Sequence, residues 1–573
     1  MTRPRLQRRP LPDESIDLVW PSHVPQVLQR IYAARGIRDP QAIDHRLAHL
    51  ASPRQLGGME QATTRLLQAM DADQRVLVVG DYDCDGATGT AVAVRGLRLL
   101  GMRHVGFVVP HRMRHGYGLS PALVASLESS PDLIVTVDNG IASVDGVAAA
   151  RERGIDVIVT DHHLPGSELP RALAIVNPNL AGDGFPSKAL AGVGVMFYLL
   201  MALRARMREA GRFDAQNQPD LSVLLDLVAL GTVADLVPLD YNNRILVEAG
   251  LRRIRAGKAS PGIVALTQAS NRAQSTLSTA DVGFALAPRL NAAGRLEDMS
   301  QGIACLLSDD ADEALALATR LSAINAERRQ LQEDMVAEAE HLATGVSQVD
   351  TLGVALYEPH WHAGVVGLVA SKIKDRLYRP VVAFAPAGEG DDGLLRGSAR
   401  SIPGFHVRDA LADVHACHPG LIERFGGHAM AAGLSLATRH FADFARAFDA
   451  VARERLGSRS LQPVLWSDGE LAAGECCLEL AQALRHAGPW GQGFEAPFFD
   501  NVFECINVRP MGVGHRRLKL RDPRDGAVLD AVMFQVSDDQ TFPPLLRAGY
   551  ELSVNEWQGR QSARLILRHV EVA

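Results

Sequence analysis

Residues 80–86, with the sequence GDYDCDG, hold three carboxylates at alternate positions. They follow the apolar run Val76–Val79, which predicts a buried strand. In an extended backbone, residues two apart point the same way, so we expect Asp81, Asp83 and Asp85 on one side of a strand end. Carboxylates this close repel one another unless a cation lies among them, and carboxylate oxygens suit Mg²⁺ and Mn²⁺. The stretch therefore predicts a divalent metal site, with a solvated acidic turn as the alternative.

Length and composition indicate an ordinary globular protein of several domains. The chain has 573 residues, of which 47% are hydrophobic and 22% charged, so about three or four domains are expected. The net charge is -7, and nucleic-acid binding would therefore need a local basic groove. The six cysteines form no C-x-x-C pair, which disfavours a disulfide framework and a zinc ribbon. No apolar segment reaches the length of a membrane span, and we expect a cytoplasmic protein.

Residues 51 to about 300 alternate apolar strands with helices. The strand candidates are 76–79, 105–109, 133–137, 157–160 and 174–176. This βαβ order predicts a mostly parallel sheet covered on both faces. In such folds ligands bind beyond the carboxyl ends of the strands, so side chains placed there are the candidates for chemistry.

Polar side chains do follow further apolar runs in this region. Asp138, the pair His162 and His163, and Asp235 each come at the end of such a run. A single Asp-Asn-Gly or His-His is more often a turn or a surface pair. Several of them at successive element ends of one domain predict instead that these groups converge on one site.

The donor set fits a two-metal hydrolase, in which two ions about 3.5–4 Å apart clamp an attacking water and a leaving oxygen. We expect Asp138 to bridge the ions and to be catalytic. The other expected ligands are Asp83, Asp85, His162 and Asp235. Asp161 is expected to orient His162 through its second nitrogen or to cap the following turn. His163 is expected to contact the scissile phosphate or to act as a general acid.

Four segments, DYDCDG (81–86), VDNG (137–140), TDHH (160–163) and VADLVPL (233–239), resemble the successive motifs of the DHH phosphoesterase superfamily. The likeness is greatest to its bacterial single-strand-specific 5′ exonucleases. It implies two Mn²⁺ or Mg²⁺ ions on Asp83, Asp85, Asp138, His162 and Asp235. Some members carry a histidine four residues before Asp83. Here that position is Val79, and Asp81 is expected to substitute for it, as a ligand or in support of one.

Two more segments fit the same relatives, PHRMRHGYG (110–118) and PRLNAAGR (288–295). The second predicts a basic, glycine-bearing turn. Arginine grips phosphate through paired donors, and Tyr117 is expected to stack a base. The substrate contacts implied here are Arg112, Tyr117, Arg289, Asn291 and Arg295. For either segment alone, a solvated loop is the alternative.

Residues 346–460 predict a second α/β domain. The sequence GGHAMAAG at 426–433 predicts a glycine turn running into a helix, whose first amides would hold an anion. It resembles the DHHA1 domain that accompanies the DHH domain and faces the metal site across a cleft in relatives. The resemblance implies that Ser398 and Arg400 hold the 5′ phosphate, and that His428 contacts the scissile or a neighbouring phosphate.

The remaining segments complete a five-part organisation. An amphipathic helix over 306–345 is expected to link the two α/β domains; Arg328 on its apolar stripe either snorkels to solvent or faces a DNA channel. Short alternating segments after 461 predict a small β-barrel, which the resemblance implies to be an OB-fold. Its basic strand 515–521 is suited to binding single-stranded nucleic acid. The alternative is a solvated strand edge, which also carries lysine and arginine. The expected domains are a helical lead-in (1–50), DHH catalytic domain (51–305), linking helix (306–345), DHHA1 domain (346–460) and OB-fold domain (461–573).

From these features we expect a monomeric, two-metal-dependent 5′-to-3′ exonuclease that degrades single-stranded DNA to nucleotide 5′-monophosphates in DNA repair and recombination. The resemblance implies a single-strand-binding protein and a RecQ-type helicase as partners, and no membrane. One alternative is a phosphodiesterase of the same superfamily acting on short oligoribonucleotides or cyclic dinucleotides; the third module argues against it. The other is a non-catalytic replication scaffold, against which the intact acidic and histidine positions argue.

Overall fold

The computed structural model describes residues 4–11, 18–111, 115–214, 216–347, 351–388, 393–457, 461–537 and 540–573. The chain forms two compact units. The described residues of the smaller unit lie within 1–5 and 323–465, and those of the larger unit within 6–322 and 466–573. Among the described residues, no helix has the length and apolar character needed to cross a membrane.

A parallel sheet forms the centre of the larger unit. The chain reaches it through β1 (Arg5–Arg8), α1 (Gln26–Ala34) and α2 (Met59–Asp71). The sheet region comprises β2 (Val76–Val79), α3 (Cys84–Leu99), β3 (Val105–Val108), α4 (Pro121–Ala125), β4 (Leu133–Val137), α5 (Val144–Glu152), β5 (Asp156–Thr160) and β6 (Ala174–Val176). The strand order is β3-β2-β4-β5-β6, and every neighbouring pair is parallel. The central strand β4 is buried along its whole length, as expected where helices cover both faces. The α/β prediction is confirmed, and each predicted strand agrees with the observed one to within one residue.

Helices complete the first part of the larger unit. They are α6 (Gly192–Glu209), α7 (Leu225–Ala234), α8 (Tyr241–Arg255), α9 (Pro261–Ala269), α10 (Thr279–Asp281), α11 (Ala287–Leu296), α12 (Ser300–Leu307) and α13 (Ala311–Ser347). Apart from Asp226 in its first turn, helix α7 is largely apolar, and it is buried from Leu225 to Thr232, which is typical of a helix inside a domain. The turn predicted at 288–295 is wrong, because this segment forms α11. Tertiary contacts outweigh the low helix propensity of Asn and Gly there: Asn291 accepts a hydrogen bond from the Cys84 N–H at 2.9 Å.

The boundary between the two units falls within α13, between residues 322 and 323. Arg328 on this helix is half-buried. Its guanidinium donates to the side-chain oxygens of Asn325 and Gln332, each at 2.7 Å. The arginine is thus held by polar neighbours on its own helix.

The smaller unit contains a mixed sheet. Its elements after α13 are β7 (Val354–Tyr357), α14 (Val366–Leu377), β8 (Val381–Pro386), β9 (Leu394–Arg400), α15 (Val407–Cys417), β10 (Arg424–Gly427), β11 (Ala431–Ala437) and α16 (Phe441–Leu456). The order is β10-β11-β9-β8-β7, with only β7 and β8 parallel. Phe384, Phe444 and Phe448 pack together in its core. The helix predicted after the glycines at 426–433 is wrong: the segment is the β10–β11 hairpin, and β11 alternates buried with less buried residues as a strand does.

A closed barrel ends the chain. It is preceded by β12 (Val464–Ser467), which pairs with β1, and by α17 (Leu478–His486). Its strands are β13 (Phe499–Pro510), β14 (Arg516–Arg521), β15 (Val528–Met533), β16 (Leu545–Trp557) and β17 (Arg560–Val572). The order around the barrel is β13-β14-β15-β17-β16, and only β15 and β17 are parallel. This is the five-stranded Greek-key barrel of an OB-fold, as predicted.

The N-terminal segment is attached to this C-terminal module. Arg35 makes two parallel hydrogen bonds to Asp468, at 2.6 and 2.9 Å, and both side chains are 1% exposed. Arg8 binds the buried Asp500 of β13 at 2.9 Å, and the Tyr32 hydroxyl donates to the Ala487 carbonyl at 2.8 Å. The lead-in is therefore a strand and a helix that bind the barrel region, and not a helix alone.

We expect Arg35→Ala to destabilise the larger unit by about 3 kcal/mol, since the substitution leaves the buried Asp468 carboxylate with only the more distant Arg9, at 3.8 Å, as a charged partner among the described residues. Thermal unfolding followed by circular dichroism measures the effect. Arg46→Ala is the matched control: Arg46 is 69% exposed and pairs with the nearby Asp44, so a change below about 1 kcal/mol is expected. Equal unfolding midpoints for the two variants would contradict the assigned role of the buried pair.

Candidate functional site

The carboxyl ends of three neighbouring strands bring the predicted ligands together. Val79 of β2 lies beside Thr136 of β4, and Val137 of β4 lies beside Thr160 of β5. The strands thus end at nearly the same level. The segments that follow them, which begin at residues 80, 138 and 161, therefore meet at one edge of the sheet.

The backbone of 81–85 is not extended as predicted. The strand stops at Val79 and α3 begins at Cys84. Asp83 is the N-cap of this helix, and its Oδ1 accepts a hydrogen bond from the Gly86 N–H at 3.0 Å. Asp85 lies in the first helical turn. The expectation that three carboxylates share one side of a strand is wrong, because aspartate is a preferred N-cap and starts the helix early.

The carboxylates divide instead between two groups. The Asp81 group consists of Asp81, Asp83 and Asp138, and the Asp235 group consists of Asp85, His162 and Asp235. Within each group one possible ligand atom per residue lies within 4.8 Å of the others. Asp138 connects the groups, since its Oδ1 lies 3.1 Å from His162 Nε2. This is the place that a bridging carboxylate would occupy.

The distances in the Asp235 group fit a bound cation. His162 Nε2 lies 3.1 Å from Asp138 Oδ1, 3.4 Å from Asp235 Oδ2 and 3.9 Å from Asp85 Oδ2. Adjacent ligands of one octahedral ion, each about 2.1 Å from it, lie about 3 Å apart. Asp138 Oδ1 is buried and accepts no hydrogen bond from the described residues. Oxygen and imidazole donors in this arrangement suit Mn²⁺ or Mg²⁺.

The electrostatics of the site favour a cation. Burial and the neighbouring carboxylates raise the pKa of Asp138 and of Asp235 well above the usual range. Burial and Asp83 also raise the pKa of Asp85, to about 7, although two backbone hydrogen bonds oppose the rise. A divalent cation would remove this repulsion by stabilising the charged carboxylates.

Asp161 binds the imidazole of His163; that it also orients His162 stays a prediction. Its Oδ1 lies 2.7 Å from His163 Nδ1 and accepts the His162 backbone N–H at 2.7 Å, while Oδ2 accepts the Ile141 N–H at 2.9 Å. The second expectation, that Asp161 caps the turn, is confirmed. Burial lowers the pKa of His163, but the hydrogen bond to Asp161 and the surrounding negative charges outweigh it and raise the pKa to about 9.

Backbone donors at the start of α6 support the site and were missed by the sequence analysis. The N–H groups of Gly192 and Val193 bind the two oxygens of Asp85, at 2.7 and 2.9 Å. A Cβ at position 192 would lie 2.6 Å from the Asp138 side chain, so only glycine fits. The signal was the glycine pair at 192 and 194 before a long apolar helix, because helix N-termini bind carboxylates.

Asparagines hold the strand ends in place and were also missed. Asn139 Nδ2 donates to the carbonyls of Val79 and Val137, at 3.0 and 2.9 Å. Asn177 and Asn179 donate to the carbonyls of His163 and His162, at 2.9 and 2.5 Å. Asn177 follows β6 directly and Asn179 lies two residues further on, so the rule that identified the other strand-end residues would have found them.

The predicted substrate residues of the larger unit have different positions. Tyr117 is 45% exposed; its hydroxyl donates to the Asp138 carbonyl at 3.1 Å, and its ring meets that of His163 edge-on. It therefore borders the site as expected. Asn291 holds the start of α3, and Arg295 lies in the last turn of α11. Arg112 lies outside the described residues.

Arg289 contacts neighbouring parts of the larger unit. Its guanidinium donates to Ser322 Oγ at 2.8 Å, to the Ala269 carbonyl at 3.2 Å and to the Ala285 carbonyl. These bonds direct its donors to the protein. Arg289 thus braces α11, and its expected phosphate contact stays a prediction.

Ser398, Arg400 and His428 belong to the smaller unit. Ser398 and Arg400 lie on β9, where Arg400 Nη1 donates to Ser398 Oγ at 3.0 Å. A Cβ on Gly367, in the first turn of α14, would lie 2.8 Å from Arg400 Nη2 and 2.9 Å from Ser398 Oγ. A hydroxyl, a guanidinium and a helix start thus surround one niche that suits an anion. His428 lies in the β10–β11 turn, with its N–H bonded to the Ala431 carbonyl at 2.8 Å.

Three family models match the chain. The DHH family N-terminal domain matches residues 75–232, the DHHA1 domain matches 348–454, and the RecJ OB domain matches 467–569. The resemblance drawn from the motifs is thereby confirmed for each of the three modules.

Full-length relatives agree with the domain matches. The single-stranded-DNA-specific exonuclease RecJ of Dickeya dadantii is 50% identical over 576 residues, and that of Escherichia coli K12 is 48% identical over 576 residues, with 99% of both chains covered in each case. The crystal structure of Thermus thermophilus RecJ in complex with Mn²⁺ has a TM-score of 0.82 at 30% identity, covering 100% of this chain and 80% of that one. The chain therefore belongs to the RecJ family of the DHH superfamily.

Proposed function

We propose that the protein is an exonuclease that hydrolyses single-stranded DNA with a pair of Mn²⁺ or Mg²⁺ ions. The observation that carries this proposal is the convergence of aspartate and histidine donors, from segments far apart in the chain, around Asp138. Relatives of 48–50% identity are named as single-stranded-DNA-specific exonucleases. The OB-fold barrel favours a long single strand over a dinucleotide, since a small substrate needs no further binding module.

The two groups of donors would each hold one ion. The Asp81 group is assigned to the first ion, the Asp235 group to the second, and Asp138 to both. When bound, the ions activate a water and stabilise charge on the attacking and leaving oxygens. Asp85 is fixed by the two amides of α6, so its carboxylate is held in place before the substrate arrives.

His163 is the residue assigned to the scissile phosphate. Asp161 holds the ring by its Nδ1, and this hydrogen bond favours the protonated imidazole by raising its pKa. The Nε2 proton can then be donated to a phosphate oxygen or to the leaving 3′ oxygen. The carboxylate–imidazole contact also fixes the ring orientation, which general acid catalysis needs.

The proposed direction is 5′ to 3′, with release of nucleotide 5′-monophosphates. Departure of the 3′ oxygen leaves a phosphate on the new 5′ end, so each cleavage regenerates the same type of strand end. The niche of Ser398, Arg400 and the start of α14 supports this direction, because it presents a hydroxyl and a guanidinium to an anion.

We also propose the wider setting expected from the sequence. The protein would act as a monomer in DNA repair and recombination, in the cytoplasm, with a single-strand-binding protein and a RecQ-type helicase as partners. The family assignment supports these roles, and the six free cysteines support a reducing compartment.

Asp138→Asn should lower Mn²⁺-dependent degradation of single-stranded DNA by about 100-fold or more. The amide keeps the shape of the side chain but removes the negative charge of the carboxylate that is assigned to both ions. Release of acid-soluble label measures cleavage, and the electron paramagnetic resonance of Mn²⁺ measures metal binding independently. Asp145→Asn on the exposed start of α5 is the control and should behave as wild type. Wild-type cleavage and metal binding by Asp138→Asn would reject the assignment.

Arg400→Gln should lower kcat/KM for 5′-phosphorylated strands by about 10- to 100-fold, the effect of one lost charge-assisted hydrogen bond. The variant and the wild type should cleave strands with a 5′ hydroxyl at the same rate. Arg408→Gln, at an exposed position of α15, is the matched control.

The direction is read from end-labelled strands, where 5′ label should disappear first. Loss of 3′ label ahead of 5′ label would overturn the polarity.

A further inference from the structure

A cavity of about 340 Å³ lies in the larger unit, away from the metal centre. Leu225, the first residue of α7, lines this cavity, whereas Asp235 directly follows the last residue of the same helix. Ten helical residues at 1.5 Å each separate the two ends by about 15 Å. The volume falls at the lower end of the range for small-molecule sites. We call this space the α8 cavity.

One face of α8 supplies positive charge to the α8 cavity. Ala249, Arg252 and Arg253 line it, and their spacing of three and four residues places them on the same side of a helix. Arg46, from the segment before the parallel sheet, is the third arginine around it. A carboxylate is not among the described residues that line the cavity, so a negatively charged ligand group is favoured there.

Two of these arginines already have acidic partners. Arg46 Nε donates to Asp44 at 2.7 Å, and Arg252 Nε donates to Glu248, also at 2.7 Å. Both arginine side chains are mostly exposed, at 69% and 61%. Their charge is therefore shared with Asp44 and Glu248, and the third arginine has to carry most of the attraction for a ligand.

Arg253 is this third arginine. Its Nε is buried and finds no acceptor among the described residues. Asp220, on which its charge acts, is exposed and is bound by the N–H and the hydroxyl of Ser222. A buried donor without an acceptor is costly, and a phosphate oxygen is the acceptor that a guanidinium binds well.

His45 adds a polar but neutral group to the lining. It is 8% exposed, and its Nε2 is buried without a hydrogen-bond partner in the described part of the chain. Burial, together with the charges of Arg244 and Arg252, lowers the pKa of His45 to about 4. The imidazole is therefore uncharged near pH 7, and its nitrogen suits an uncharged polar group of a ligand, such as the edge of a base.

The segment that carries His45 is fixed to α8. The Tyr241 hydroxyl donates to the Asp44 carbonyl at 2.9 Å. Leu47 of this segment and Leu225 of α7 add apolar surface to the lining. The cavity thus combines a charged part with an apolar part, and both are present before a ligand binds.

We propose that the α8 cavity binds a nucleoside 5′-monophosphate, with its phosphate on Arg253 and its base against the apolar lining and His45. Inorganic phosphate alone would leave the apolar part unused, and a longer strand would exceed the volume. The ligand belongs to the class that the proposed function releases. The site itself is separate from the metal centre and does not depend on nuclease activity.

Equilibrium dialysis of the full-length protein against each of the four labelled 2′-deoxynucleoside 5′-monophosphates tests the proposal. EDTA keeps the metal centre free of ions, and an Arg400→Gln background weakens the niche on β9. We expect one equivalent of nucleotide to bind this background. Arg253→Gln should weaken binding by about 10- to 100-fold, the effect of one lost charge-assisted hydrogen bond. Arg253→Lys keeps the charge and should retain most of the affinity.

Arg54→Gln is the matched control, because Arg54 is 84% exposed and pairs with Glu209 elsewhere on the larger unit. This variant should bind nucleotide as the background does. Equal affinities of Arg253→Gln and the background would overturn the proposal, and so would the absence of binding by all four nucleotides.

Competition with inorganic phosphate and with the unphosphorylated nucleoside separates the two parts of the site. Each should displace the labelled nucleotide at least about 10-fold less well than unlabelled nucleotide does, because each lacks one set of contacts. His45→Phe, which keeps a ring without nitrogen, should weaken nucleotide binding roughly 3- to 10-fold and leave phosphate binding unchanged. Phosphate that competes as well as the nucleotide would show a simple anion site and overturn the assigned ligand.

The result is distinguishable from a failure of the proposed function, because no strand is cleaved in EDTA. Absence of nucleotide binding would leave Mn²⁺-dependent cleavage by the wild type untouched. Absence of that cleavage would reject the nuclease function and leave the nucleotide site standing.

Discussion

The mutual repulsion of buried carboxylates is the constraint on which the larger unit depends. Burial raises the pKa of Asp85, Asp138 and Asp235, and the carboxylates around them raise it further. The fold compensates with the amides at the start of α6, which bind both oxygens of Asp85. Bound divalent cations would neutralise the negative charge that remains on these carboxylates. The level ends of β2, β4 and β5 are what allow so many acidic groups to share one edge of a sheet.

Much of the fold and part of the site follow from hydrophobic patterning. The strands of the parallel sheet are continuous apolar runs, and Asp138, His162 and Asp235 were found because each follows such a run. The backbone of 81–85 was predicted wrongly because helix capping by Asp83 competes with strand extension, and spacing alone does not separate the two. The amides that bind Asp85 are backbone groups, and in the sequence only the glycines at 192 and 194 point to them. The hairpin at 426–433 was missed because glycine-rich sequence fits several turn types equally.

Contacts between distant parts of the chain set the limit of such prediction. Arg289 has a side chain suited to phosphate, and in the fold it also braces α11, because Ser322 and two carbonyls lie within its reach. Arg517 and Lys519 likewise belong to a basic strand, and both pair with Asp530 on the next strand. In each case the partner decides the role of the cation, and the partner becomes known only when the fold is known.

The bond between Arg35 and Asp468 joins positions 433 residues apart. On the ribosome, Arg35 therefore emerges long before its partner, by roughly 20–90 s at the usual rates of translation. During this interval the N-terminal helix has no C-terminal module to bind, and its apolar face stays available to chaperones. The two ends of the chain are thus coupled in biogenesis, since the earliest residues to be synthesised are among the last to reach their native contacts.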